Sequence, residues 1–171
     1  METTSDSSER TGRPRQGLRV ARDEDRFGER HSLGIGLLSF KVLTGDSHGT
    51  LLALELIHHA KGGPPRHLHY DQDEWFYVVE GEYLLEVGGE RFRLKPGDSA
   101  FGPRGVPHGW THVGDGLGRI AITLTPAGQL EAFLREVSAM GRMGPQDPAF
   151  WPPYGMKLVG PPLGTEPVVK P

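Results

Sequence analysis

Between residues 34 and 125 apolar and polar positions alternate in short runs, and nearly every run stops at glycine or proline. The alternation predicts strands at 35–43, 51–58, 74–79, 83–87, 91–94, 99–101, 108–111 and 120–125. Gly88-Gly89 between two of these runs predicts a hairpin, because paired glycines supply the positive φ of a primed turn. Short strands at such regular spacing point to an all-β sandwich or barrel rather than to βαβ units.

After Thr125 the period changes. Ala127, Leu130, Phe133, Leu134, Val137 and Met140 recur at helical spacing, which predicts one amphipathic helix. Pro126 sits where a first helical turn tolerates proline, Thr125 is placed to cap it, and Gly141 to end it. The apolar stripe is expected to cover a sheet edge or face. From Pro145 to Pro171 the chain is proline-rich and reads as an extended tail, with Phe150, Trp151 and Tyr154 pinning it to the body or reaching a neighbouring subunit. The division expected is a polar, flexible arm over 1–30, a β-barrel over 31–125, and a helix with tail over 126–171. In the arm Arg10, Arg13, Arg15, Arg19 and Arg22 carry no intervening acid, but Asp23, Glu24 and Asp25 follow at once, so a solvated terminus is the reading.

Composition narrows the chemistry. With 171 residues the chain can bury a substantial core. A net charge of −3 gives no general pull toward nucleic acid or an anionic membrane. Cysteine is absent, which removes disulfides, thiolate nucleophiles and Cys-based zinc sites together. The first residues lack an apolar secretory core and no apolar run reaches membrane-spanning length, so a cytoplasmic location is expected. There is no P-loop and no G-x-S-x-G, and Gly34-x-Gly36 lacks the third glycine of a dinucleotide fingerprint.

The candidate chemistry lies in four residues. His67 and His69 are two apart, so both imidazoles project from one face of a strand. Glu74 follows after room for a turn, and His108 arrives behind Pro103, Gly105 and Pro107. Three imidazoles and a carboxylate suit a divalent transition metal: Fe, Mn, Ni, Cu or Zn. His58 shares a face with Leu52, Leu54 and Leu56 and is read either as lining a cavity or as making a hydrogen bond at its rim. Arg66 and Arg104 flank the ligand segments and read as solvated turn residues sooner than as anion holders.

Written as spacing, these stretches are Gly62-Gly63-x3-His67-x-His69-x4-Glu74-x6-Gly81 and Gly97-x5-Pro103-x-Gly105-x2-His108-x3-His112. They resemble the paired motifs of the cupin superfamily, G-x5-H-x-H-x3–4-E-x6-G and G-x5-P-x-G-x2-H-x3-N. Two positions depart from the pattern. The first glycine lies one or two residues closer to His67, which is expected to change only the turn, and His112 stands where asparagine is common. The resemblance implies a jelly-roll barrel with the metal in its mouth, held by His67, His69, Glu74 and His108. Glu74 is carried over in two roles, as ligand and as general base. If Glu74 and His108 point inward, so do Phe76, Trp110 and His112 by alternation, and with Phe101 they would form an aromatic pocket for a flat substrate.

Within that superfamily the layout resembles the quercetin-dioxygenase-like bacterial monocupins, on residues 73–82, 125–128, 154–156 and 160–162. That resemblance implies a metal-dependent dioxygenase acting on a small phenolic or enolic, flavonol-like molecule, with a homodimer as the assembly. The same fold hosts binding or sensor modules and non-redox isomerases or lyases, so these stand as alternatives.

Overall fold

Eleven strands, one α-helix and two single-turn 3₁₀ helices make up the part of the chain, residues 17–164, that the computed structural model describes. In order they are β1 (His31–Ser32), β2 (Gly36–Val42), β3 (Leu52–His58), β4 (Pro65–His69), β5 (Asp73–Glu80), β6 (Tyr83–Val87), β7 (Glu90–Leu94), β8 (Ser99–Gly102), β9 (His108–His112), β10 (Gly118–Thr125), the helix α1 (Leu130–Ala139), the 3₁₀ turns Pro148–Phe150 and Pro152–Tyr154, and β11 (Met156–Pro162). Two antiparallel sheets result, one ordered β1-β2-β3-β10-β5-β8 and the other β11-β4-β9-β6-β7. They stack as a jelly-roll sandwich, the all-β class expected from the alternation.

The register turns the sequence pattern into a core. In β5, Glu74, Phe76 and Val78 are buried while Trp75, Tyr77 and Val79 are exposed, the division that period two demands. Opposite them, Ile120, Ile122 and Leu124 of β10 pair with Val78, Phe76 and Glu74. Leu52, Leu54 and Leu56 of β3 flank β10 on its other side. At the β6–β7 hairpin Gly88 and Gly89 take φ values of 59° and 91°, the primed turn expected there.

The helix begins later than the pattern suggests. Thr125 remains in β10, paired with Asp73, and does not cap the helix. The carbonyls of Pro126 and Ala127, which a helix starting there would use, accept hydrogen bonds from the Gln72 side-chain amide. Gly128 is left-handed at φ 53°, so helical geometry starts only beyond it. Leu130, Phe133 and Val137 form the buried stripe; Met140 lies past the last helical turn and is exposed. Gly141 follows in the left-handed conformation, as expected of the terminator.

Two further differences involve the ends. The proline-rich tail is not merely extended: β11 pairs with β4, setting Met156 opposite His69 and Leu158 opposite His67. Its prolines are tolerated because β11 is an edge strand. Arg10, Arg13 and Arg15 lie outside the described residues. The described remainder of the arm is tied to the first sheet rather than loose. Lys41 Nζ donates to the carbonyls of Ala21, Arg22 and Glu24, and the Asp25 carboxylate accepts from the amides of Phe27 and Phe40.

Candidate metal centre

Three strands from the two sheets bring the four sequence-predicted residues together. β4 carries His67 and His69 on its inner face, β9 carries His108 directly opposite His67, and β5 contributes Glu74 from the other sheet. One donor atom from each lies within 4.8 Å of the others, and all four side chains are buried. The His69 and His108 rings stack at 5.4 Å, with His67 edge-on to both.

Each imidazole is oriented from behind. His67 Nδ1 bonds the Pro65 carbonyl at 2.7 Å, His108 Nδ1 the Val106 carbonyl at 3.0 Å, and His69 Nδ1 the Gln72 side-chain oxygen at 3.0 Å. A carbonyl or amide oxygen only accepts, so each Nδ1 carries a proton, and in the neutral ring each Nε2 is left with a lone pair for the common centre; without a metal, His108 carries a second proton on Nε2 where it meets Glu74. His108 Nε2 lies 2.8 Å from Glu74 Oε2. His69 Nε2, 3.3 Å from the same oxygen, is buried without a hydrogen-bond partner. A buried nitrogen with an unused lone pair aimed at a carboxylate and two other imidazoles is what a metal site looks like from its ligands. The residues therefore fit a divalent ion, with three nitrogens and one oxygen leaving positions open to small molecules.

Electrostatics agree with that fit. Burial alone would raise the Glu74 carboxyl, but hydrogen bonding to His108 and the nearness of His69 outweigh it and hold the group well below the usual carboxylate range. Burial, reinforced by His108 and His69, pushes His67 down to about 3 and keeps it neutral, the form that ligates. For His108 burial works downward, yet the bond to Glu74 prevails and raises it.

The cluster forms one wall of a cavity of about 60 Å³. The remaining lining is apolar: Leu54, Leu56 and Ile122 from the first sheet, Trp110 and Met156 from the second, and Leu130, Phe133, Leu134 and Val137 from α1. The helix stripe thus closes the mouth of the barrel instead of covering an outer face. Trp151 completes the closure; its indole is buried and lies 5.3 Å from the His67 ring at 32°.

Of the five residues expected to line a substrate pocket, Trp110 does so. Phe76 packs edge-on behind His108 in the core. His58 and His112 point inward but toward the far end of the barrel, where they stack at 5.8 Å beside Tyr83. The His58 Nδ1–Tyr83 hydroxyl distance is 2.8 Å, so His58 makes a buried hydrogen bond, not a cavity wall. Phe101 is a correction: it is 54 % exposed on the outer face of the first sheet, because β8 alternates and places Gly102, not Phe101, inward. Arg66 and Arg104 face outward, paired with Glu86 and Asp73. Reasoning from sequence missed Gln72 and Trp151. The signal for Gln72 was its place in the turn between two ligands; that for Trp151 was a lone indole amid tail prolines.

The family model for the cupin domain matches residues 54–123. Quercetin 2,3-dioxygenase of Bacillus subtilis is 36 % identical over 84 residues, 48 % of this chain and 25 % of that enzyme. An uncharacterised protein of Methanocaldococcus jannaschii is 35 % identical over 49 residues, 29 % of this chain and 39 % of that protein. The chain therefore spans well under half the length of both curated relatives. Among solved structures, the polyketide cyclase RemF from Streptomyces resistomycificus aligns with a TM-score of 0.54 at 20 % identity, over 71 % of this chain and 98 % of that one. A predicted oxalate decarboxylase from Thermotoga maritima aligns with a TM-score of 0.52 at 19 % identity, over 57 % and 90 %. These two share the fold alone. Matched domain, shared fold and the buried histidine–glutamate cluster lead to one conclusion: over residues 54–123 the chain is similar to the cupin domain.

Proposed function

We propose that the protein is a metal-dependent dioxygenase acting on a small, uncharged phenolic or enolic molecule. The observation that carries this reading is the pairing of a buried three-histidine, one-glutamate cluster with a cavity that holds no other charged group. An oxalate or a sugar phosphate would meet no cationic side chain in the lining. A neutral aromatic body with one ionisable hydroxyl matches the apolar walls and presents its oxygen to the cluster. The partial likeness to a quercetin dioxygenase supports the same class.

His67, His69, Glu74 and His108 would hold the ion, which when bound supplies Lewis acidity and, for Fe, Mn, Ni or Cu, access to oxygen chemistry. The protein's part is to orient and to exclude water. The Nδ1 anchors fix the imidazoles before substrate arrives, and Trp110 and Phe133 hold a flat ring against them. Glu74 is anionic at neutral pH, so its carboxylate can accept a substrate hydroxyl proton.

Oxygen uptake by protein loaded in turn with Fe, Mn, Ni or Cu, and offered catechols and flavonols, tests the proposal. Metal-dependent consumption of O2 is the expected result. The small cavity favours one second reading, a metal-dependent binding or sensor module. Tight ligand retention with no uptake across the panel would replace the first reading with that one, and turnover without uptake would point to an isomerase or lyase. A cytoplasmic homodimer completes the proposal, checked by sedimentation velocity; among the described residues no helix is long and apolar enough to cross a membrane.

A further inference from the structure

We propose that Trp151 determines the size of the molecule the metal centre accepts, restricting it to single-ring phenols or enols and excluding flavonol-sized ones. The inference rests on the metal reading above and extends it to a residue outside both cupin motifs. A cavity of about 60 Å³ is small beside the roughly 300–1,000 Å³ of sites that take drug-sized ligands. Among its walls Leu54, Leu56, Trp110 and Ile122 are sheet residues, whose places are set by strand pairing. Trp151 is different. It is among the largest fully buried side chains, it faces a ligand imidazole, and it sits on a strap over 141–155 that belongs to neither sheet.

The strap is built to press the indole into the cavity. Both of its end glycines, Gly141 and Gly155, are left-handed, at φ 65° and 74°. Trp151 Nε1 donates to the Pro145 carbonyl at 2.9 Å, which fixes the ring plane. Phe133 packs against the ring at 5.0 Å. A Cβ at Gly144 would lie 3.0 Å from Trp151 Cη2, so glycine there lets the ring lie close. Asp147 caps the turn before it by accepting from the Ala149 amide. Trp151 takes part in no strand pairing, so shortening the side chain enlarges the cavity without removing a hydrogen bond from either sheet.

The test compares full-length wild type, Trp151→Ala and Trp151→Phe, each loaded with Co2+ under argon. Catechol, 2,3-dihydroxynaphthalene and quercetin are titrated by calorimetry and by the visible cobalt bands. Wild type is expected to prefer catechol over quercetin by at least about tenfold, the range that pocket size alone confers. Trp151→Ala should level that ratio. Trp151→Phe, which keeps an aromatic ring in the strap, should gain the bicyclic diol even if the alanine variant does not fold. Wild type binding quercetin as tightly as catechol, or an unchanged ratio in folded variants, overturns the proposal while leaving the metal reading intact. Failure of wild type to retain cobalt, seen by elemental analysis, overturns both. Size-selective binding without oxygen uptake by the iron- or manganese-loaded protein removes the oxygenase reading and upholds the role of Trp151.

Discussion

At the residue scale the centre depends as much on what stands behind the ligands as on the ligands. His67→Ala removes one of four donors, and the purified variant is expected to lose bound metal by elemental analysis; full occupancy would reject the site. Gln72 is the subtler case. It accepts from His69 Nδ1 and donates to the Pro126 and Ala127 carbonyls, so it joins a ligand to the segment leading into α1. Gln72→Leu should weaken metal affinity by about 10–100-fold, because the His69 ring loses its orientation and tautomer control. A competition titration against a chelator measures this. The same variant leaves two carbonyls unpaired and should cost ~1–3 kcal/mol of stability by urea unfolding. The four ligands could be read from spacing because period two and the turn lengths dictate which side chains share a face. Gln72 could not, since nothing local tells a turn glutamine in solvent from one buried under a helix start.

At the element scale the consequential features are the approach of β4 to β9 and the closure by α1. A Cβ at Gly63 would fall 1.8 Å from the Trp110 carbonyl oxygen, and Gly62 exchanges backbone hydrogen bonds with His112. The double glycine therefore matters for backbone approach, not only for the turn expected there. Gly63→Ala must push the chain leading into β4 away from β9 and separate His67 from His108. Its expected cost is ~3 kcal/mol or more, with a matching loss of metal affinity; a variant that melts and binds metal like wild type would contradict the packing argument. For α1, the stripe was legible as periodicity, but its start and its partner were not. Where the helix begins depends on Gln72, more than fifty residues earlier, and a stripe in sequence carries no information on whether it meets a sheet or a cavity.

At the scale of the whole molecule, metal and pH are expected to act on stability together. A ligand that binds only the folded state stabilises it by mass action, so dialysis against a chelator should lower the melting temperature and metal should restore it, by about 2.7 kcal/mol at a free metal concentration of 100 times Kd. Away from the metal, His58 is pushed down to about 3, chiefly by burial and further by His112 and His59. Its folded value lies below its ordinary 6.5, so between these two pH values the unfolded chain takes up a proton that the folded chain refuses. The stability this residue contributes is complete above about pH 6.5 and is lost as pH falls toward 3. The loss should reach at most ~1.4 kcal/mol per pH unit. Urea titrations of metal-free protein across that window, with His58→Gln showing the shallower slope, measure it. By itself the sequence determined the β architecture, the hairpin at Gly88-Gly89 and the four candidate ligands, because alternation and turn chemistry are local rules that a short segment obeys alone. Tertiary structure decided that Phe101 faces outward, that His58 and His112 belong to Tyr83 instead of the cavity, and that Trp151 packs beside the candidate metal cluster, because each depends on which distant segment occupies the space beside it.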